Sequence, residues 1–493
     1  VEGRGLTEGN SGRSAHPEHR VGGGDMANSQ RARSGKPRIQ PRGSTYVEPR
    51  VVSQGLERVR EAARRDSSLR FTCLLHHVTV DVLREAYRSL NPKAAPGVDG
   101  VTWSEYGSGL EGRLTDLHDR VHRGGYRARP SRRTYIRKED GRLRPIGITA
   151  LEDKIVQLAV VWVLQAIYEG DFLGFSYGFR PGRSQHDALD AVWVAIVQRK
   201  VSWVVDADIR GFFDSIDHGW MIRFVEQRIG DKRIVRLIQK WLKAGVSEEG
   251  EWTGTVVGTP QGATVSPVLA NIYLHYVLDL WVEKWRSCNA RGEVYIVRYA
   301  DDFVMGFQYR SDAEAFLRAL EGRMHKFGLE LNTEKTRLIE FGRFAAESRE
   351  KRGEGKPETF EYLGFTHICA RRRKDGGFTV QRKTSAKRLR KKVKEVTEEL
   401  KRMRHSPVSE QGKWLRSVIT GYFNYHAVPG NYQALNRFRK LLARAWIRAL
   451  RGRSQRGRRL TWARMQKLLD TWFPRARILH PYPNQRLCVN NPR

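Results

Sequence analysis

The chain has 493 residues, enough for about three domains of ordinary size. Its 89 Lys and Arg outnumber 54 Asp and Glu, a net charge of +35, which excludes a self-neutralised surface and asks for a polyanionic partner, a long phosphodiester before an anionic membrane face. The four cysteines (Cys73, Cys288, Cys369, Cys488) form no close pair, which excludes a disulfide framework and a cysteine zinc site and fits a reducing cytoplasm.

The first 50 residues are rich in Gly, Arg and Ser without an apolar core, and read as a disordered basic leader rather than a secretion signal. Gly55 to Arg70 and Val80 to Leu90 carry helical spacing, and Asn91 to Gly100 is a Pro- and Gly-punctuated loop. Tyr126 to Ile148 alternates around a turn at Glu139–Gly141, a hairpin. Ile155 to Tyr168 is the longest apolar run; Gln157 and Gln165 interrupt it, and it falls short of the roughly 20 residues of a membrane span, so a buried helix from Leu151 is expected and no membrane segment. Trp203 to Asp208 is a short strand ending in acids, followed by helix-like sequence to Arg228. Ala263 to Trp285 is a long helix, and Glu293 to Phe307 is two strands around Ala300–Asp302. Strands and helices mixed in this way predict an α+β catalytic domain.

Near residue 380 the composition changes. Residues 382–459 hold 23 Lys and Arg against 4 Asp and Glu, an excess too one-sided for salt-bridged helices. Leu389, Val393, Val396, Leu400 and Met403 share one helical face; Trp414, Leu415, Val418, Ile419 and Tyr422 form a second, and Leu435, Phe438, Leu441, Leu442, Ala445 and Trp446 a third. The aromatics at this spacing serve a core before they serve as stacking platforms.

Two acidic strand ends about 90 residues apart carry the chemistry. Asp208 closes one apolar strand, and Asp301 and Asp302 sit between two others in RYADDF (298–303). Transfer of a nucleotidyl group uses two divalent cations about 3.5–4 Å apart, and Mg²⁺ accepts a few hard carboxylates while keeping some of its waters. A lone acidic turn is common for local hydrogen-bonding reasons, so each element is weak by itself.

In order along the chain, NPKAAPGVDGVTW (91–103), YIRKEDGRLRPIGI (135–148), SYGFRPGRSQHDAL (176–189), DADIRGFFDSIDH (206–218), GTPQGATVSPVLANIYLH (258–275), RYADDF, GLELNTEKTRLIEF (328–341) and FEYLGF (360–365) resemble the motif series of the group II intron reverse transcriptase/maturase family. The resemblance runs from about Leu83 to the C-terminus. It implies a right hand of fingers, palm with an antiparallel sheet, and helical thumb. Residues 51–375 would be fingers and palm, 376–455 the thumb and maturase region, and 456–493 a basic DNA-binding-like segment. Asp208 and Asp301 would hold two Mg²⁺ ions, with Asp302 the third acid of the site. Lys138 and Arg144 would grip the triphosphate, and Phe213, or else Phe212, would exclude a 2′-hydroxyl. Gln261 and Gly262 would admit the incoming nucleotide, Lys335 would face the leaving pyrophosphate, and Arg180 and Gly364 would lie near template and primer. Without the motifs, Lys138, Arg144 and Lys335 read as surface charges.

The implied partners are group II intron RNA, a DNA target, an RNA–DNA duplex and deoxynucleoside triphosphates. The implied setting is a bacterial cytoplasm, with the protein on the nucleoid as a ribonucleoprotein. No cysteine pair or histidine cluster of a His-Asn-His endonuclease follows, so the resemblance implies a member that borrows its primer, for example at a replication fork. Three alternatives stay open: a splicing-only maturase with an idle site, a bacterial reverse transcriptase serving defence or diversification, and an RNA-directed RNA polymerase. The intact acids, the maturase-like C-terminus (WLRSVITGYFNY, 414–425) and the phenylalanine gate argue against them in turn.

Overall fold

The computed structural model describes residues 54–137, 143–248, 251–254, 257–259 and 262–486, all within one compact unit, Gly43–Arg493. The basic leader and the turn at Glu139–Gly141 lie outside the described residues.

The chain enters through helices Gln54–Arg65, Val80–Ser89 and Leu110–His122. The second starts where the Thr79 hydroxyl accepts the Val82 N–H, a side-chain cap that supplies one of the four orphan donors of a helix start. Strands β1 (Ser131–Arg137) and β2 (Leu143–Ile148) follow as an antiparallel pair from Arg132↔Ile148 to Arg137↔Leu143. Helix Leu151–Asp171 is apolar on nearly every face, and sixteen of its residues are accordingly buried. Helix Gln185–Gln198 opens on a reciprocal cap between Ser184 and Asp187.

Strand β3 (Trp203–Ala207) comes next, then β4 (Val246–Glu248) and β5 (Glu251–Thr253), which extend the β1–β2 sheet in the order β2-β1-β4-β5. The long helix expected over Ala263–Trp285 is present but not uniform. Helix Ser266–Leu274 passes through a π-helical turn at His275–Asp279 into helix Leu280–Cys288. Apolar spacing does not reveal such a turn, because one inserted residue shifts the helical face by only about 100°.

Strands β6 (Val294–Tyr299), β7 (Asp302–Phe307) and β8 (Arg337–Glu340) complete a second sheet in the order β6-β7-β3-β8. Strand β3 is central, and Val204, Val205 and Ala207 are buried. Strands β9 (Phe360–Tyr362), β10 (Phe365–Arg371) and β11 (Phe378–Thr384) form a third, antiparallel sheet.

The basic region is helical from Ala386, in helices Ala386–Arg402, Val408–His426, Tyr432–Arg451 and Trp462–Trp472. Its predicted apolar faces meet in one separate core that includes Leu389, Leu400, Ile419, Phe438 and Trp446. Strand β11 continues the third sheet, and Met465, Leu469 and Phe473 enter the same core as the preceding helices. Among the described residues no helix is long and apolar enough to cross a membrane.

Candidate active site

Register brings the acids together. Ala207 on β3 pairs with Phe303 on β7, so Asp208, one residue on, lies level with Asp302, which pairs with Tyr299 across the β6–β7 hairpin. Ala300 and Asp301 form the tip, with Ala300 at φ 57, a left-handed conformation that disfavours a side chain. Three carboxylates predicted from two distant segments thus share one edge of one sheet.

Electrostatics show their proximity. Packing around its carboxyl, then repulsion from Asp301, Asp208 and Asp206, pushes Asp302 up to about 7. Asp302 is open to solvent on one side. Asp301 is also raised, by burial first, against which its own backbone hydrogen bond and the guanidinium of Arg144 work. Arg144, expected to grip the triphosphate from strand β2, therefore faces the acid cluster. Asp206 is raised to about 6, again by burial first and with Arg337 opposing.

Lys335 places its Nζ 2.7 Å from Asp208 Oδ2, and Asn332 donates its side-chain amide to the same oxygen at 3.1 Å. The Asn332 N–H also binds the Asp208 carbonyl at 2.7 Å, which ties the 328–341 motif to the end of β3. Asn332 and Asp206 were absent from the predicted set. Both lie inside the quoted motifs, but their roles depend on contacts that spacing does not encode.

The aromatic pair divides between core and half-buried positions. Gly211, at φ 55, starts the short helix Phe212–Ser215. Phe212 turns into the core and meets the Tyr273 ring edge-on at 6.4 Å, whereas Phe213 is only half-buried. The Phe213 carbonyl accepts the Thr259 N–H at 2.8 Å and the Ile216 carbonyl accepts that of Gly258 at 2.8 Å, so the 258–262 loop is stitched to the aromatic turn. Gly262 sits at φ 114, and a Cβ there would meet the Gly147 carbonyl at 2.8 Å; only glycine lets this loop pass beneath strand β2. Lys138 and Gln261 lie outside the described residues.

Two further residues fall beside helix Ala386–Arg402 or away from the surface. Gly364, at φ 82, lies under Arg388 of helix Ala386–Arg402, whose charge lowers Asp302. Arg180, expected at the template, is instead buried. Its guanidinium binds Glu169 at 3.0 Å and the carbonyls of Leu173 and Ser176 at 2.8 Å each. A guanidinium surrounded by its own acceptors buttresses the loop.

The donor set can be tested against Mg²⁺. Among the described residues no three His, Cys, Asp or Glu side chains converge into a closed cage. Mg²⁺ is commonly held by one or two carboxylates, waters and substrate phosphates rather than by an all-protein cage. An ammonium already stands against Asp208, and mutually repelling acids surround it, so an open site for hard cations fits these residues.

Comparison with known proteins bears on the family. Residues 136–367 match the family model described as "Reverse transcriptase (RNA-dependent DNA polymerase)". Protein YkfC of Escherichia coli (strain K12) is 35% identical over 322 residues, which is 58% of this chain and 84% of that protein. The group II intron-encoded protein LtrA of Lactococcus lactis subsp. cremoris is 36% identical over 231 residues, 46% of this chain but 38% of LtrA. An uncharacterized 91 kDa protein in the cob intron of Schizosaccharomyces pombe is 39% identical over 211 residues, 42% of this chain and 25% of that protein. The chain thus spans most of one relative and well under half of the two intron-encoded ones. On the matched domain, these relatives and the ordered motifs around its acids, the chain belongs to the group II intron reverse transcriptase/maturase family.

Proposed function

We propose that the protein is an RNA-directed DNA polymerase that binds its host group II intron RNA, assists its splicing and copies it into DNA during retrohoming. The observation that carries this reading is the convergence of Asp208, Asp301 and Asp302 on one sheet edge, with Arg144 facing them. In right-hand terms, the β1–β2 hairpin and the helices before it serve as fingers, the β6-β7-β3-β8 sheet as palm, and the basic helices from Ala386 as thumb and maturase surface.

Each residue has a task in the reaction. Asp208 and Asp301 would hold the cations, two Mg²⁺ ions, and Asp302 would complete the acidic edge. The chemistry a cation supplies when bound there is neutralisation of charge on the attacking 3′-oxygen and the leaving pyrophosphate. Arg144, with Lys138, grips the triphosphate, and a planar guanidinium suits bidentate contact with phosphate oxygens. Phe213 stands at the sugar and selects deoxynucleotides, Gln261 and Gly262 line the nucleotide's approach, and Lys335 leaves Asp208 to meet the pyrophosphate. The helices from 386 present the excess of Lys and Arg to RNA backbone and to the RNA–DNA duplex. A ribonucleoprotein on the bacterial nucleoid is the corresponding setting.

The experiment is primer extension on an RNA template with Mg²⁺ and deoxynucleotides, wild type beside Asp301→Ala. Loss of at least about a thousandfold is expected, equivalent to about 4 kcal/mol of transition-state stabilisation. Equal activity of the two proteins would overturn the assignment. No product from wild type, with splicing stimulation intact, would favour a splicing-only maturase.

A further inference from the structure

Behind the acidic edge lies a buried polar cluster centred on Arg298 of strand β6. Arg298 and Asp279 are both wholly buried. Asp279 is the last residue of the π-helical turn, and its carboxylate receives Arg298 Nε at 2.7 Å and Nη2 at 2.5 Å. The remaining donors are used too. Nη2 reaches Ser176 Oγ at 2.7 Å, and Nη1 reaches Asn271 Oδ1 at 3.0 Å and the Ala300 carbonyl at 2.9 Å. All five guanidinium N–H groups are therefore satisfied within the cluster.

The Ala300 carbonyl is the informative acceptor. Ala300 is the left-handed residue immediately before Asp301, in a conformation that an alanine does not choose by itself. Arg298 ties down the carbonyl of that residue. From the other side, Gly178 packs against the Ala300 N–H, and its own carbonyl accepts the Asn271 side-chain amide at 2.7 Å. The backbone adds two bonds, Tyr177 N–H to the Arg298 carbonyl at 2.8 Å and Arg298 N–H to the Phe175 carbonyl at 2.9 Å. The π-helical turn belongs to the same arrangement, since its extra residue sets the direction in which Asp279 leaves the helix.

We propose that Arg298 and Asp279 are positioning residues for catalysis: the buried pair, oriented by the π-helical turn, clamps the Ala300 carbonyl and thereby sets the direction of the Asp301 carboxylate. The inference rests on the reading of Asp301 as a cation-holding residue. A buried ion pair by itself says little about stability, because a well-packed apolar pair can replace it without loss of fold. That substitution separates the two roles. An apolar pair fills the same space but cannot hold a carbonyl.

The test uses the full chain with the double substitution Arg298→Met/Asp279→Leu and the milder Ser176→Ala, beside wild type and Asp301→Ala. Thermal melting, single-turnover primer extension and the Mg²⁺ concentration giving half-maximal rate are measured for each. The double variant should melt within a few degrees of wild type, keep its apparent KM for deoxynucleotide within about twofold, and lose at least about tenfold in rate. Its half-maximal Mg²⁺ concentration should rise at least about threefold, which a merely structural role would not produce. Ser176→Ala, which frees only one donor, should shift the same two quantities in the same direction by a smaller factor; this keeps the test decisive if the double variant does not fold. Wild-type rate and Mg²⁺ dependence in whichever of these variants folds, with Asp301→Ala inactive, would overturn the positioning role alone. An active Asp301→Ala would overturn the reading of the site on which it rests.

Discussion

Gly178→Ala probes the turn that carries Asp301 from outside it. A Cβ built on Gly178 would lie 2.2 Å from the Ala300 nitrogen, 2.9 Å from the Tyr299 carbonyl carbon and 3.0 Å from the Ala300 Cα. Ordinary contact begins at about 3.4 Å, so the 176–183 loop or the turn bearing Asp301 must move by about 1 Å. All three obstructing atoms are backbone, so no side chain can swing away to absorb the overlap. Overpacking of this kind costs about 1–3 kcal/mol of stability, and a misplacement of about 1 Å at a reacting centre lowers rate by about 100-fold. Gly182→Ala in the same loop is the control. Gly182 lies at φ 65 with nothing within 4 Å of its Cβ position, so alanine there meets only the left-handed backbone penalty of about 1–2 kcal/mol and leaves the turn alone. Single-turnover primer extension at a temperature well below both melting points should show a large loss for Gly178→Ala and near-normal rate for Gly182→Ala. Equal rates for the two variants would refute the argument, because they would show that the loop and the Asp301 turn are not rigidly packed.

Other predictions follow from residues outside the reacting centre. Arg180→Ala strands Glu169 in the interior without its cation, so it should destabilise the fold by about 3–5 kcal/mol while the folded fraction keeps its apparent affinity for primer–template; a specific loss of template affinity at unchanged melting temperature would contradict this. His367 is buried against Phe360, rings 4.6 Å apart, and burial depresses it to about 3. Its folded pKa lies below the ordinary 6.5, so the unfolded chain takes up the proton first, and stability present above pH 6.5 is lost as pH falls, by up to about 1.4 kcal/mol per pH unit for this group. His367→Phe, which keeps the ring stack, should therefore narrow the difference in urea midpoint between pH 7.5 and pH 5. An unchanged difference would remove His367 from the acid sensitivity.

Much of the architecture was legible before any coordinates. The buried helix from Leu151, the β1–β2 pair, the acidic strand ends and the three apolar faces of the basic helices all repeat with the period of their secondary structure, and local sequence carries that period. The role of Arg180 was not legible in the same way. A guanidinium in a Gly- and Pro-rich motif looks available for phosphate, and only the packing of helix Leu151–Asp171 shows that Glu169 and two carbonyls already hold it. Nor was the extent of the helical core legible, because composition marks where charge accumulates whereas Met465, Leu469 and Phe473 join the core of the preceding helices.

The sequence by itself determined which residues could do the chemistry: carboxylates at strand ends, a basic hairpin, an aromatic pair after Asp208, and a surplus of cationic helices. Tertiary structure alone decided which of them share a site and how firmly they are held. Register across β3 and β7 sets Asp208 level with Asp302, and Arg298 joins Ser176, 122 residues away, to the turn that carries Asp301. The physical reason is range. Backbone periodicity and turn preferences act over a few residues, whereas the partners that satisfy a buried guanidinium or raise a carboxylate come from segments that meet only when the chain has folded.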